Sequence, residues 1–289
     1  SDLAKCEGEW QEAKKNSNFN LIKNSLDELI NLTKEEADIL GKEFNLSPYE
    51  ALVNKFEPGS NTKLIANVFD DLQKFLIPLI DTIIEKQKSQ KILPIQNKIN
   101  EIQQKDIAEY IMNIIGFDFK RGRLDKSVHP FCGGSTNDVR ITTRYNEDNP
   151  FSSLDGVMHE TGHALYELNL PEKWSHQPVG KSRGMVMHES QSLMIEMQIT
   201  RSLAFKKFLS KLLKDKFNIT DKSLDADNLY LIGTRVEKSY IRVESDEVTY
   251  PLHIILRFNL ERKIFNNEIS VTDIPDAWNE EYKRLFDKK

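Results

Sequence analysis

His159-Glu160-Thr161-Gly162-His163 sets two imidazoles one helical turn apart with a carboxylate between them. On an α-helix, residues i and i+4 share a face. Two neutral imidazole nitrogens on that face can hold one Zn²⁺, with Glu160 beside the metal and free to take a proton from a bound water. The chain has only 6 histidines among 289 residues, so composition alone is a poor explanation of the pairing. The flanks predict the helix that the motif needs. Ser152-Ser153-Leu154-Asp155 reads as a hydroxyl N-cap followed three residues on by an acid, an arrangement that satisfies the first free amides of a helix. Val157, Met158, Ala164 and Leu165 supply an apolar face. Gly162 costs such a helix about 1 kcal/mol relative to alanine. Close approach by a metal, a substrate or a second helix would explain it.

A catalytic zinc takes three protein ligands and leaves a fourth position open. A third histidine on the metzincin pattern requires Gly at 166 and His at 169, but the chain has Tyr166 and Asn169. A carboxylate from a second helix is the remaining solution. Residues 185–191 open a long helical pattern that carries Leu193, Met194, Met197, Leu203, Phe208, Leu209 and Leu213. Glu189 lies in its first turns among apolar neighbours, where an unpaired carboxylate is expensive to bury. Glu196, two turns further on, competes for the same role. His188 points about 100° away from Glu189 around the helix. That direction suits support behind the ligands, a place facing substrate, or simple packing.

Elsewhere helical periodicity dominates. Leu21, Ile22, Leu26, Leu29 and Ile30 mark one amphipathic helix; Val68, Phe69, Leu72, Phe75, Leu76, Leu79 and Ile80 mark another; Ile107, Ile111, Ile114 and Ile115 mark a third. The one strand signal lies around residues 128–145, read as a small antiparallel hairpin or meander near the candidate site. With no internal repeat or long linker, the reading is one mainly α-helical unit over residues 1–289. No apolar run reaches the roughly 18 residues a spanning helix needs, and Ser1-Asp2-Leu3-Ala4-Lys5 lacks an apolar signal core. Cys6 and Cys132 imply no disulfide framework, which suits a reducing cytoplasm. A net charge of −5 argues against a nucleic-acid surface.

Five segments, in this order, resemble a metallocarboxypeptidase of the thermostable carboxypeptidase Taq type, a helical relative of the neurolysin-like gluzincins. They are His129-Pro130-Phe131, Asp138-Val139-Arg140-Ile141-Thr142-Thr143, the His159 to His163 motif, His188-Glu189-Ser190, and Ile241-Arg242-Val243-Glu244-Ser245-Asp246-Glu247. The family pattern favours Ala where Ser245 stands. The resemblance runs from about Trp10 to Trp278 and covers the central part of a member. The chain contains no segment reading Gly-x-x-Gln-Asp-x-His-Trp, which in the family helps form the active site, so the expectation is a catalytic domain truncated at both ends. The resemblance implies a neurolysin-like helical fold, His159, His163 and Glu189 as metal ligands, and Glu160 as general base. It implies Zn²⁺ (Co²⁺ being the other candidate), peptide substrates trimmed from the C-terminus with broad side-chain tolerance, and a homodimer. A helical gluzincin oligopeptidase, or a non-catalytic metal-binding fragment that needs a complementing partner, is the alternative.

An exopeptidase must hold a free terminal carboxylate, and arginine is suited to do so with two hydrogen bonds. Arg242, read as part of a charged helix over 236–244, is the first candidate. Arg140, in a β-branched run, is the second. Asp246 and Glu247 are candidates to orient the ligand histidines, with His188 beside them. His129 precedes a glycine-rich turn that would line the substrate groove. Tyr250 and His253 are candidates to donate to an oxyanion, against core packing favoured by Leu252, Ile254, Ile255 and Leu256.

Overall fold

The computed structural model describes residues 2–96, 98–127 and 130–286. Its contacts separate two compact units, Ser1–Glu85 with Val236–Lys289, and Lys86–Arg235. The first contains α1 (Asp2–Asn16), α2 (Lys23–Phe44), α3 (Pro48–Phe56) and most of α4 (Thr62–Gln87). The second contains α5 (Glu101–Ile114), β1 (Gly122–Lys126), β2 (Phe131–Ser135), β3 (Asp138–Thr143), α6 (Pro150–Leu168), α7 (Met185–Leu193), α8 (Leu203–Phe217) and α9 (Ala226–Gly233). The chain then returns to the first unit with α10 (Tyr250–Phe265) and α11 (Ile274–Phe286). The fold is mainly helical, as expected. Among the described residues, no helix is long and apolar enough to cross a membrane.

Each unit has its own core. In the first, Leu76 and Ile80 of α4 pack with Leu252, Ile255 and Leu256 of α10 and with Tyr282, Leu285 and Phe286 of α11. In the second, Ile107, Ile111 and Met112 of α5 meet Leu124, Val139 and Ile141 of the sheet, Val157, Met158 and Ala164 of α6, and Leu209 and Leu213 of α8. Strand β3 alternates, with Val139, Ile141 and Thr143 buried, and α6 packs against it.

Four local expectations need correction. The sheet is mixed, in the order β1-β3-β2: β2 pairs antiparallel with β3, but β1 runs parallel to it, Leu124 opposite Ile141. A parallel neighbour is set by a long connection and not by a local turn, and β1 has one buried apolar residue to announce it. Helix α6 starts earlier than its serines suggest, with Pro150 in its first turn after Asn149. Proline has no amide to leave unsatisfied there and its φ is already helical. Ser152 and Ser153 instead donate back to the carbonyls of Asn149 and Pro150 at 2.8 and 2.7 Å. The long pattern from residue 185 is divided. Helix α7 passes into a π-helical segment, Met194–Thr200, and α8 restarts where the Ser202 hydroxyl accepts the Phe205 amide at 3.1 Å. Residues 236–249 form no charged helix; they hold only a short 3₁₀ turn, Arg242–Glu244.

Candidate metal centre

Helices α6 and α7 approach at Gly162. A Cβ there would lie 2.5 Å from both the Gln191 carbonyl oxygen and the Ser192 Cα. Backbone atoms cannot yield as a flexible side chain does, so of the three explanations for this glycine the second helix is the one observed. Glu189, one turn before that contact, is thereby brought to the histidine pair. Its Oε2 lies 3.3 Å from His163 Nε2 and 3.7 Å from His159 Nε2. One ligand atom from each of the three residues falls within 4.8 Å of the others.

The donor set fits a divalent metal. Donors about 2 Å from a tetrahedral ion stand about 3.3 Å from one another, close to the two separations seen. The surroundings favour a cation as well. Glu160, Glu189 and Glu196 surround the two rings. Burial would push the His159 imidazole down, yet those three carboxylates, Glu196 foremost, leave it raised. Burial raises the Glu160 carboxyl; the two imidazoles oppose that shift, and Glu189 and Glu196 add to it.

The back of each ring is also held. His159 Nδ1 meets Glu196 Oε2 at 2.8 Å, and Arg201 donates to the other oxygen of Glu196 at 3.3 Å. His163 Nδ1 meets His188 Nδ1 at 2.6 Å, and His188 Nε2 meets Glu167 Oε1 at 2.8 Å. Ser192 donates to Glu189 Oε2 at 3.1 Å. Glu196, read from sequence as a rival ligand, thus stands behind the His159 ring. Glu167 was not singled out at all; its signal is its place one turn after His163 on the same face of α6. Cys132 on β2 is pushed up to about 12 by burial, then by Glu160 and Glu167, so the strand lies within the field of the centre.

A profile of the family described as Carboxypeptidase Taq (M32) metallopeptidase matches residues 1–289. The chain belongs to the M32 family. It is 37% identical over 281 residues to Carboxypeptidase 1 of Bacillus subtilis, a match covering 97% of this chain and 56% of that protein. It is 37% identical over 280 residues to Thermostable carboxypeptidase 1 of Pyrococcus furiosus, covering 96% of this chain and 56% of that one. Among solved structures, Trypanosoma cruzi metallocarboxypeptidase 1 superposes with a TM-score of 0.92 at 37% identity, covering 98% of this chain and 57% of that chain. The chain therefore spans little more than half the length of the M32 relatives it matches. Membership makes it a metallopeptidase-family chain and implies a divalent metal, for which the His159, His163 and Glu189 group is the cluster found among the described residues.

The other candidate residues read from the sequence lie as follows. Arg140 is exposed and holds both oxygens of Asp138, at 3.0 and 2.8 Å, two residues away on the same strand face. Arg242 donates to the Tyr250 hydroxyl at 3.0 Å. Asp246 accepts from the amides of Glu237, Val248 and Thr249 and from the Thr249 hydroxyl, at 2.7 to 3.1 Å, which holds the turn leading into α10. Glu247 is exposed; the ring nitrogens it was expected to hold are taken by Glu196 and His188. His253 is fully buried against Phe286, ring centroids 4.8 Å apart, in keeping with core packing. His129 lies outside the described residues.

Proposed function

We propose that this chain carries the catalytic centre of a zinc metallocarboxypeptidase, with His159, His163 and Glu189 holding Zn²⁺ and Glu160 as general base. The observation that supports this best is the convergence of both Nε2 atoms on Glu189 Oε2 at 3.3 and 3.7 Å in a chain of the M32 family. A divalent cation bound there supplies Lewis acidity, polarising a peptide carbonyl and making water a stronger nucleophile near neutral pH. Glu160 takes the proton of the attacking water on its carboxylate and returns it to the leaving amine as the C–N bond breaks. Glu196 and His188 keep the two imidazoles aimed. Arg242, steadied by Tyr250, is the proposed partner of the substrate's terminal carboxylate, since Arg140 is engaged by Asp138. In this proposal residues 1–289 act as one catalytic domain, cytoplasmic and dimeric.

A second reading is a metal-binding chain that hydrolyses only with a complementing partner. Zinc titration and release of the C-terminal residue from an N-blocked dipeptide separate the two. Tight zinc binding with chelator-sensitive release supports the first reading, and zinc binding without release supports the second. Cleavage of a peptide blocked at both ends would make the chain an oligopeptidase. Failure of His159→Ala to weaken zinc binding would end the metal assignment.

A further inference from the structure

The two ligand imidazoles are supported differently. Behind His159 stands a carboxylate, Glu196. Behind His163 stands another imidazole, His188, with a carboxylate, Glu167, one step further out. We propose that Glu167 is a positioning residue that fixes the tautomer of His163 through His188; this rests on the metal assignment above.

The inference follows from donor counting. Two imidazole nitrogens 2.6 Å apart share one proton: two N–H groups would collide and two lone pairs would repel. The tautomers of His163 and His188 are therefore locked opposite to one another. An ionised carboxylate only accepts hydrogen bonds. At 2.8 Å from His188 Nε2, Glu167 accepts a hydrogen bond from the N–H of that nitrogen, and the neutral ring is left with a lone pair on Nδ1. His163 must then carry its proton on Nδ1, so the lone pair of its Nε2 faces Glu189 Oε2. A ligand histidine needs that arrangement. The relay is also held mechanically. His163 and Glu167 are one turn apart on α6, His188 comes from α7, and the Tyr166 ring meets the His188 ring edge-on at 5.1 Å and 89°.

The test uses the full chain loaded with zinc and labelled with ¹⁵N in its 6 histidines. Two-bond proton–nitrogen correlations report which nitrogen of each ring carries the proton. The expected pattern is Nε2–H for His188 and Nδ1–H for His163. A proton on His188 Nδ1, or on both of its nitrogens, overturns the proposal. In parallel, Glu167→Ala is expected to lower zinc affinity by about 10- to 100-fold and to leave His163 as a mixture of tautomers. Glu167→Gln, which keeps an acceptor oxygen, recovers most of the affinity. If His159→Ala loses zinc but Glu167→Ala does not, the relay fails and the metal assignment stands. If neither loses zinc, both fall. Should Glu167→Ala not fold, the wild-type spectrum decides.

Discussion

Helices α6 and α7 and the stretch 236–249 each carry residues that the sequence marked as functional, on very different backbones. The helix pair is regular where it matters, so spacing along the chain becomes position in space: His159, His163 and Glu167 rise on one face, and Glu189 meets the first two. The second stretch has one 3₁₀ turn, Arg242–Glu244, and no longer helix. There Asp246 spends its carboxylate on backbone amides, and Arg242 turns to Tyr250. Periodic backbone lets a motif be read for chemistry. Aperiodic backbone makes the same residue types serve the chain's own hydrogen bonds first.

The largest effect that would sharpen this contrast is at Glu160. Glu160→Gln keeps the shape but cannot take a proton, so the rate of C-terminal release should fall by about 10²- to 10⁴-fold. Zinc affinity, measured by chelator competition, should change little. Next is Gly162→Ala, which places a methyl group against the backbone of α7. Overpacking of this kind costs about 3 kcal/mol, read in denaturant unfolding, and zinc affinity should fall with it as Glu189 is pushed away. Unaltered affinity would mean that the helix pair does not set the ligand geometry.

In the aperiodic stretch the expectation reverses. Asp246→Ala should lower stability by about 2 kcal/mol through loss of the hydrogen bonds that hold the turn before α10 and leave zinc affinity unchanged. A drop in affinity would return Asp246 to the metal centre. The smallest effect is at His253, which burial, and then the neighbouring Arg257, pushes down to about 4. Its folded value lies below the unfolded value of about 6.5, so the unfolded chain takes up the proton first. Stability is then full above pH 6.5 and declines as the pH falls towards 4, by about 1 kcal/mol at pH 5.5. His253→Phe should flatten that acid limb in thermal unfolding, with no change at pH 8.

The histidine pair, Glu160 and the helix beneath them were legible because i, i+4 spacing has one spatial meaning on a helix. Glu189 was legible only as one of two acids, since 189 and 196 lie nearly on the same side of a helix and only the packing of α7 on α6 sets Glu189 at the two Nε2 atoms and Glu196 at His159 Nδ1. The parallel strand β1 was not legible: its partner is chosen by a connection through β2, and its five residues, GRLDK, alternate weakly. Glu167 carried no motif. An exposed-looking glutamate near a helix end acquires its role only when His188 arrives from α7.

The amino-acid order alone determined a zinc-type motif on a helix, a mainly helical chain and a short list of acids to stand with the two imidazoles, because those depend on local spacing and burial. Tertiary structure decided which acid faces which nitrogen and what Gly162 is for. Those outcomes depend on how closely two helices approach, and the distance between helices is fixed by every side chain along their contact, not by any one stretch of the chain.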